Sequence, residues 1–277
     1  MGLRVLDGEE SLSKIKKIVA VAAGKGGVGK STVTAALALA SALRGLKVGV
    51  LDADVYGPSI PLLLPDTTQV STHLDKIIPA KSHAIQTLSI THFGITDTST
   101  AFRAPVVNMF IQQCIHQVFW GDLDILYVDF PPGVGDVHLC LLQEWAFTGA
   151  ILVTMPNKLS QSDVEKAGDS FVEMGVPISC VIENFSGVAL EGISSDTALF
   201  GNQTGKLIQD RYQAPLLEKV PLDPRFSTLL NSGENPFLES RLRGAAERFM
   251  SIESTLFEEL ALAKAPSPLG QTLVWRS

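Results

Sequence analysis

Gly24-Lys25-Gly26-Gly27-Val28-Gly29-Lys30-Ser31 is the stretch that decides the fold. It fits the pattern G-x-x-x-x-G-K-[ST], in which glycines let the backbone turn so that successive N–H groups point at phosphate oxygens. Before it stands Ile18-Val19-Ala20-Val21-Ala22, a short apolar run rich in β-branched residues that reads as a buried strand. After it, residues 31–43 are rich in Ala and Leu and nearly free of charge, which predicts a helix buried against a sheet, closed by Gly45. A helix starting here presents its positive N-terminal end to the same anion. Gly24, Lys25, Gly26, Gly27, Val28, Gly29, Lys30, Ser31 and Thr32 are therefore the candidate phosphate contacts. Lys30 reaches the outer phosphates and the Ser31 hydroxyl is placed for Mg²⁺. Lys25 departs from the general loop, where that position is free, and gives the deviant form G-K-G-G-x-G-K-[ST].

The alternation continues outward. Residues 47–52, 85–93, 125–130, 150–155, 178–183 and 216–220 read as strands. Residues 105–119, 137–147, 161–174 and 206–212 read as helices, and 240–263 as a terminal amphipathic helix. Short apolar runs separated by helices imply an α/β fold, a mostly parallel sheet with helices on both faces. No boundary divides the chain, so one domain is expected over 1–265, with a loose start at 1–13 and a flexible tail at 266–277.

Composition narrows the class. The 277 residues are 45% hydrophobic and 18% charged, which excludes disorder as the main state. A net charge of -7 argues against a nucleic-acid partner, which needs a basic face. No apolar run reaches the roughly 18 residues of a membrane span, and the first residues lack the apolar core of a signal peptide. Three isolated cysteines (Cys114, Cys140, Cys180) exclude a disulfide scaffold and point to a reducing, cytoplasmic setting.

Asp52 and Asp54 close the second strand, and Asp129 closes the strand at 125–130. Ligands of parallel sheets lie at the carboxyl ends of strands, so all three acids can face the phosphate loop. One carboxylate there holds Mg²⁺ through water and another orients an attacking water. Standing alone, any strand-end Asp is as readily a helix cap. Gly133 and Gly135 allow the next loop to sense the terminal phosphate.

These residues give the chain its resemblance. It is similar to the Mrp/ApbC group of iron–sulfur cluster carrier P-loop ATPases, within the SIMIBI (MinD/ParA-like) class of deviant Walker A proteins. The block Asp52-Ala53-Asp54-Val55-Tyr56-Gly57-Pro58-Ser59 is specific to that group, and Arg103-Ala104-Pro105 resembles its R-G-P. Asp129-Phe130-Pro131-Pro132-Gly133, Gly135-Asp136-Val137-His138-Leu139, Val181-Ile182-Glu183-Asn184 and Val220-Pro221-Leu222-Asp223 follow in order. The resemblance implies an ATP-binding, ATP-hydrolysing homodimer acting on apoprotein clients or with iron–sulfur assembly factors. Lys25 would reach the phosphates held by the other subunit. Lys30 would bind phosphate, Asp54 would position water, and Ser31, Asp52 and Asp129 would serve Mg²⁺. Asn184 would read adenine, with Pro221 and Asp223 near the base or ribose.

The resemblance also implies a C-x-x-C pair that binds the cluster. Laid on this chain without a gap, its two cysteines fall on Leu190 and Ile193, and neither can ligate iron. Each of the three cysteines lies in an apolar stretch and reads as a small buried hydrophobe, so no iron–sulfur ligand is evident and the cluster itself is in question. An ATP-dependent organiser of the MinD or ParA kind, or a nucleotide switch, binding no cluster, is the alternative. Its membrane-bound members need a basic amphipathic tail, whereas residues 257–266 contain acids and end in proline.

Overall fold

The computed structural model describes residues 14–94, 104–189, 200–201, 203–238 and 244–262. The expected loose start (1–13), the expected tail (266–277), Arg103, and the two positions Leu190 and Ile193 lie outside the described residues.

The first strand, β1 (Ile18–Ala23), is buried at every position and runs into helix α1 (Lys30–Leu43). β2 (Val48–Asp52) and a one-turn helix α2 (Ile60–Leu63) follow. Four short strands come next: β3 (Ser71–His73), β4 (Lys76–Ile78), β5 (Ala80–Ser82) and β6 (Ile85–Leu88). The remainder is α3 (Ala104–His116), β7 (Ile125–Asp129), α4 (Asp136–Glu144), β8 (Gly149–Thr154), α5 (Lys158–Glu173), β9 (Ile178–Val188), α6 (Thr204–Tyr212), β10 (Leu216–Leu222), α7 (Pro224–Asn231) and α8 (Ala245–Leu262). Eight strands form one sheet in the order β10-β9-β8-β1-β7-β2-β6-β5, parallel except at the β5–β6 edge.

β1 lies between β7 and β8, with Val19 opposite both Tyr127 and Gly149, so its backbone is paired on both sides. Its side chains alternate between two cores. Val19, Val21 and Ala23 face the layer of α1, α2, α7 and α8, while Ala20 and Ala22 face α3, α4, α5 and α6. A strand apolar on both faces reads as a continuous hydrophobic run, which is why it was legible.

Most expected elements stand within a few residues of their positions. The strand expected over 85–93 instead stops at Leu88 and passes into a 3₁₀ turn, Ile90–Phe93. Ser89 caps that turn, and its own N–H donates to Nδ1 of His92 at 3.2 Å. β3, β4 and β5 carry no readable period because each has three residues. Their hairpins turn through Leu74-Asp75 and His83-Ala84, all at positive φ without the glycine or asparagine that marks such turns. α7 was also missed, although Asp223 before Pro224 is a helix start.

A buried polar chain fastens α8 to the far end of α1 and to β7. Tyr127 donates to Ser41, and Ser41 donates to Oε1 of Glu253 at 2.9 Å. Arg44 donates to Oε2 of the same carboxylate at 2.6 Å, and Glu253 is almost wholly buried. Replacing Glu253 with Ala removes the carboxylate that pairs two groups, Ser41 and Arg44. We expect Glu253→Ala to lower stability by about 2 kcal/mol and Glu253→Gln by less, measured by urea unfolding. Equal urea midpoints for Glu253→Ala and the parent would show that the chain contributes nothing.

Candidate functional site: a phosphate loop over a buried carboxylate

The carboxyl ends of β1, β2 and β7 meet where the strand order reverses, the crevice in which open α/β sheets place ligands. The loop between β1 and α1 turns through Gly27 and Gly29, both in the left-handed region at φ +83° and +85°. Gly24 is required for another reason: a Cβ there would overlap the backbone of α5 at Asp163 and Val164. α1 starts at Lys30 with no side-chain cap and no acid in its first turn, so its leading N–H groups are left for an anion.

Beneath the loop lies Asp129, fully buried. Its Oδ2 accepts from Nζ of Lys30 at 2.7 Å and from the Ser31 hydroxyl at 2.7 Å. Its Oδ1 accepts from the Thr34 hydroxyl at 2.6 Å. Thr34 escaped the sequence reading, yet it stands one helical turn after Lys30 on the same face of α1, the signal that could have found it.

Asp52 is paired in register with Asp129 on the neighbouring strand. Its carboxylate accepts from the N–H groups of Asp54 (3.2 Å), Ser59 (3.0 Å) and Ile60 (3.1 Å). Burial and the adjacent Asp129 push its carboxyl up to about 7, against the opposing pull of Lys30. Asp52 thus gathers the loop that carries Asp54. The Asp54 carboxylate lies 3.9 Å from Lys30 and accepts from Gly57 N–H at 3.2 Å, and burial raises its pKa.

Lys25, Lys30, Ser31, Thr32, Asp54 and Pro132 line a cleft of about 660 Å³, within the usual range for a small-molecule site. Asn231 at the end of α7 and Leu62 on α2 complete its wall, and neither was singled out in the sequence. Asn184, Pro221 and Asp223 are not in that lining. The Asn184 side chain donates to the Val28 carbonyl at 2.9 Å and supports the loop from its side. Pro221 sits at a register shift of β10, where its missing N–H costs no ladder bond. Asp223 caps α7 through the N–H groups of Arg225 and Phe226 and also accepts from Ala245 N–H, at 3.1 Å each.

Asp129 and Ser31 supply a carboxylate and a hydroxyl, hard oxygen donors that suit Mg²⁺ completed by phosphate and water. The thiols are a different matter. Cys114 and Cys180 are fully buried on opposite faces of the sheet, Cys140 is half-buried, and burial raises the pKa of all three. Among the described residues no group of three or more His, Cys, Asp or Glu side chains is placed to hold a metal ion.

The NUBPL iron-transfer P-loop NTPase model of the ParA group matches residues 14–257. The chain belongs to this family. It is 33% identical to an iron–sulfur cluster carrier protein of Haemophilus influenzae over 260 residues, 93% of this chain and 70% of that one. It is 38% identical to the carrier of Mycobacterium tuberculosis, over 87% of this chain and 65% of the relative. For the carrier of Escherichia coli the figures are 36%, 79% and 60%. The chain therefore spans between 60% and 70% of the length of these curated relatives. Among solved structures, an Archaeoglobus fulgidus nucleotide-binding protein in complex with ADP aligns with TM-score 0.73 and 32% identity, over 87% of this chain and all of that one. MinD of Pyrococcus horikoshii, complexed with Mg-ADP, aligns with TM-score 0.62 at 23% identity, over 87% of this chain and 95% of that one, a likeness of fold. No helix among the described residues of this P-loop NTPase is long and apolar enough to cross a membrane.

The family loop after Asp129 leads to His138 on α4, which is fully buried between Phe130 (4.9 Å between ring centroids) and Phe171 (5.0 Å). Desolvation lowers its pKa to about 4. An unfolded histidine titrates near 6.5, so the unfolded chain takes up a proton first as pH falls. The stability this group contributes is complete above about pH 6.5 and is lost as pH falls towards 4, a loss of about 3 kcal/mol. We expect His138→Phe to flatten the pH dependence of the denaturant midpoint across that window. A slope equal to the parent's would show that His138 charges freely in the native state.

Proposed function

We propose that this protein is a homodimeric, Mg²⁺-dependent ATPase that acts in the cytoplasm on iron–sulfur cluster assembly or transfer to apoproteins. One observation carries the reading: the buried Asp129 gathers Lys30, Ser31 and Thr34 directly under a glycine loop that also presents Lys25 to the cleft.

The chemistry follows from that arrangement. The loop amides and the start of α1 bind the phosphate chain, and Lys30 exchanges its contact with Asp129 for a phosphate oxygen. Ser31 and Asp129 would hold Mg²⁺, which would supply neutralisation of the phosphate charge. Asp54, on a loop held by Asp52, orients the attacking water. Lys25 extends the site across a two-fold axis and links ATP binding to dimerisation. Asn184, Pro221 and Asp223, outside the cleft lining, are assigned to the base and ribose side; Asn184 must release Val28 to read a purine edge.

The named carriers among its relatives support the iron–sulfur assignment. Two fully buried thiols and one half-buried thiol, each with its pKa raised by burial, favour a role as the ATP-driven partner in the hand-off over a role as thiolate carrier. The alternative of a surface-bound organiser finds no support in a net charge of -7.

Lys30→Ala is expected to abolish ATP binding. Asp54→Ala is expected to bind ATP and dimerise but to lose turnover by on the order of 100-fold, read as phosphate release. Unchanged turnover in Asp54→Ala would remove the assigned water-positioning role. Anaerobic reconstitution with iron and sulfide is expected to leave iron at background. Stable cluster absorbance would restore the carrier role, and ATP-dependent pelleting with liposomes or DNA would establish the organiser.

A further inference from the structure

A second cleft, of about 670 Å³, opens at the end of the sheet opposite the phosphate loop. It lies where β8 and β9 begin, among the last turns of α5, α6 and α8. Phe147, Val176 and Ile178 are its buried side, and Val172 and Leu262 are its exposed rim. No residue assigned to the phosphate site lines it.

The polar groups of this cleft are already engaged. The Thr148 hydroxyl accepts from Ile18 N–H at 3.1 Å, and the Gln213 amide donates to the Asp210 carbonyl at 2.6 Å. The Tyr212 hydroxyl is held by the Glu165 carbonyl and the Asp169 carboxylate on α5. The Ser179 hydroxyl lies against Gly149, where a Cβ would overlap it. A polar metabolite needs polar groups that converge on it, and these are turned to other partners. What the cleft offers is apolar surface and, among the described residues, one charged group, the Glu259 carboxylate.

The chain itself arrives at this place. α8 ends at Leu262, on the rim. Its last turn is fixed, because Leu260 is fully buried and its carbonyl accepts from the Lys17 ammonium. Residues 263–277 therefore start from a set point at the edge of the cleft. They include Leu269, Leu273, Val274 and Trp275, and their charged side chains are Lys264 and Arg276, with no Asp or Glu. Apolar residues suit the apolar walls, and cations suit Glu259. Residues 263–272 reach up to about 33 Å when extended, and Pro266, Pro268 and Gly270 are residue types with which a chain reverses.

We propose that this cleft is the docking site of residues 263–277 of the same chain, with Leu273-Val274-Trp275 packed on Phe147, Val176 and Leu262 and Arg276 facing Glu259. The indole brings the largest apolar area in the segment. Docked there, the segment covers the starts of β8 and β9 and ties α8 to α5 and α6. The phosphate cleft is at the other end of the strands, so this docking stands or falls independently of the ATPase reading.

Tryptophan fluorescence of the full chain tests it. Trp120 and Trp145 are both buried, so the difference between the parent and Trp275→Phe isolates the emission of Trp275, and the two remaining indoles report that each variant is folded. Acrylamide is expected to quench Trp275 about threefold less than it quenches free tryptophan. Val172→Lys, on the exposed rim, sets a cation against a cationic segment and should raise quenching to that of free tryptophan. Leu74→Glu, on the distant β3–β4 hairpin, should leave the protection as it is. Free quenching of Trp275 in the parent, or protection that Val172→Lys does not remove or Leu74→Glu also removes, overturns the proposal. Protection that falls on dilution shows the segment entering a second copy and overturns docking within one chain.

Discussion

A carboxylate with no access to water must be compensated where it stands, and Asp129 is compensated by side chains from the start of α1. Lys30, Ser31 and Thr34 are consecutive on one helix face, and all three converge on its two oxygens. The cost of burying that charge without them would be several kcal/mol, so the bond set fixes the depth and direction of α1 relative to β7. The phosphate loop is the chain between those two fixed points. Its glycines follow from that closeness: the loop has α5 against Gly24 and Asn184 against Gly29.

The same centre carries an excess of negative charge. Lys30 is the one cation in ion-pair distance of Asp129 and Asp54 among the described residues, and Asp52 stands in register beside Asp129 with no cation of its own. Asp52 answers by titrating near neutrality and by drawing in three backbone amides. A divalent cation reduces this surplus, while an anionic ligand alone would add to it. A nucleotide and a divalent cation would therefore be electrostatically coupled at this site, and Asp52 also holds the loop that carries Asp54.

Much of this was legible because the signals are local. The strand–loop–helix unit, the three strand-end acids, the parallel α/β class and the family resemblance all rest on runs of a few residues whose side chains alone carry the information. The strand–helix alternation also emerged, since β1, β7, β8 and β9 are apolar on both faces. The small edge strands did not emerge, because three residues hold no period and the positive φ at Leu74, Asp75, His83 and Ala84 is imposed by pairing. Thr34, Asn231 and Leu62 were passed over because what they touch is distant in sequence or supplied by another element.

The sequence by itself determined the kind of chemistry: a glycine loop ending in lysine and serine, acids at strand ends, and hydrophobic residues where related carriers are expected to have thiols. Those are properties of residue type and spacing, which survive without coordinates. Only the tertiary structure decided what each polar group is engaged with. Asp52 binds a loop, Asn184 binds the Val28 carbonyl, Asp223 ties α7 to α8, and His138 meets the Ser170 hydroxyl of α5. The reason is burial: in the interior every polar atom must find a partner, and which partner lies nearest depends on how distant segments pack.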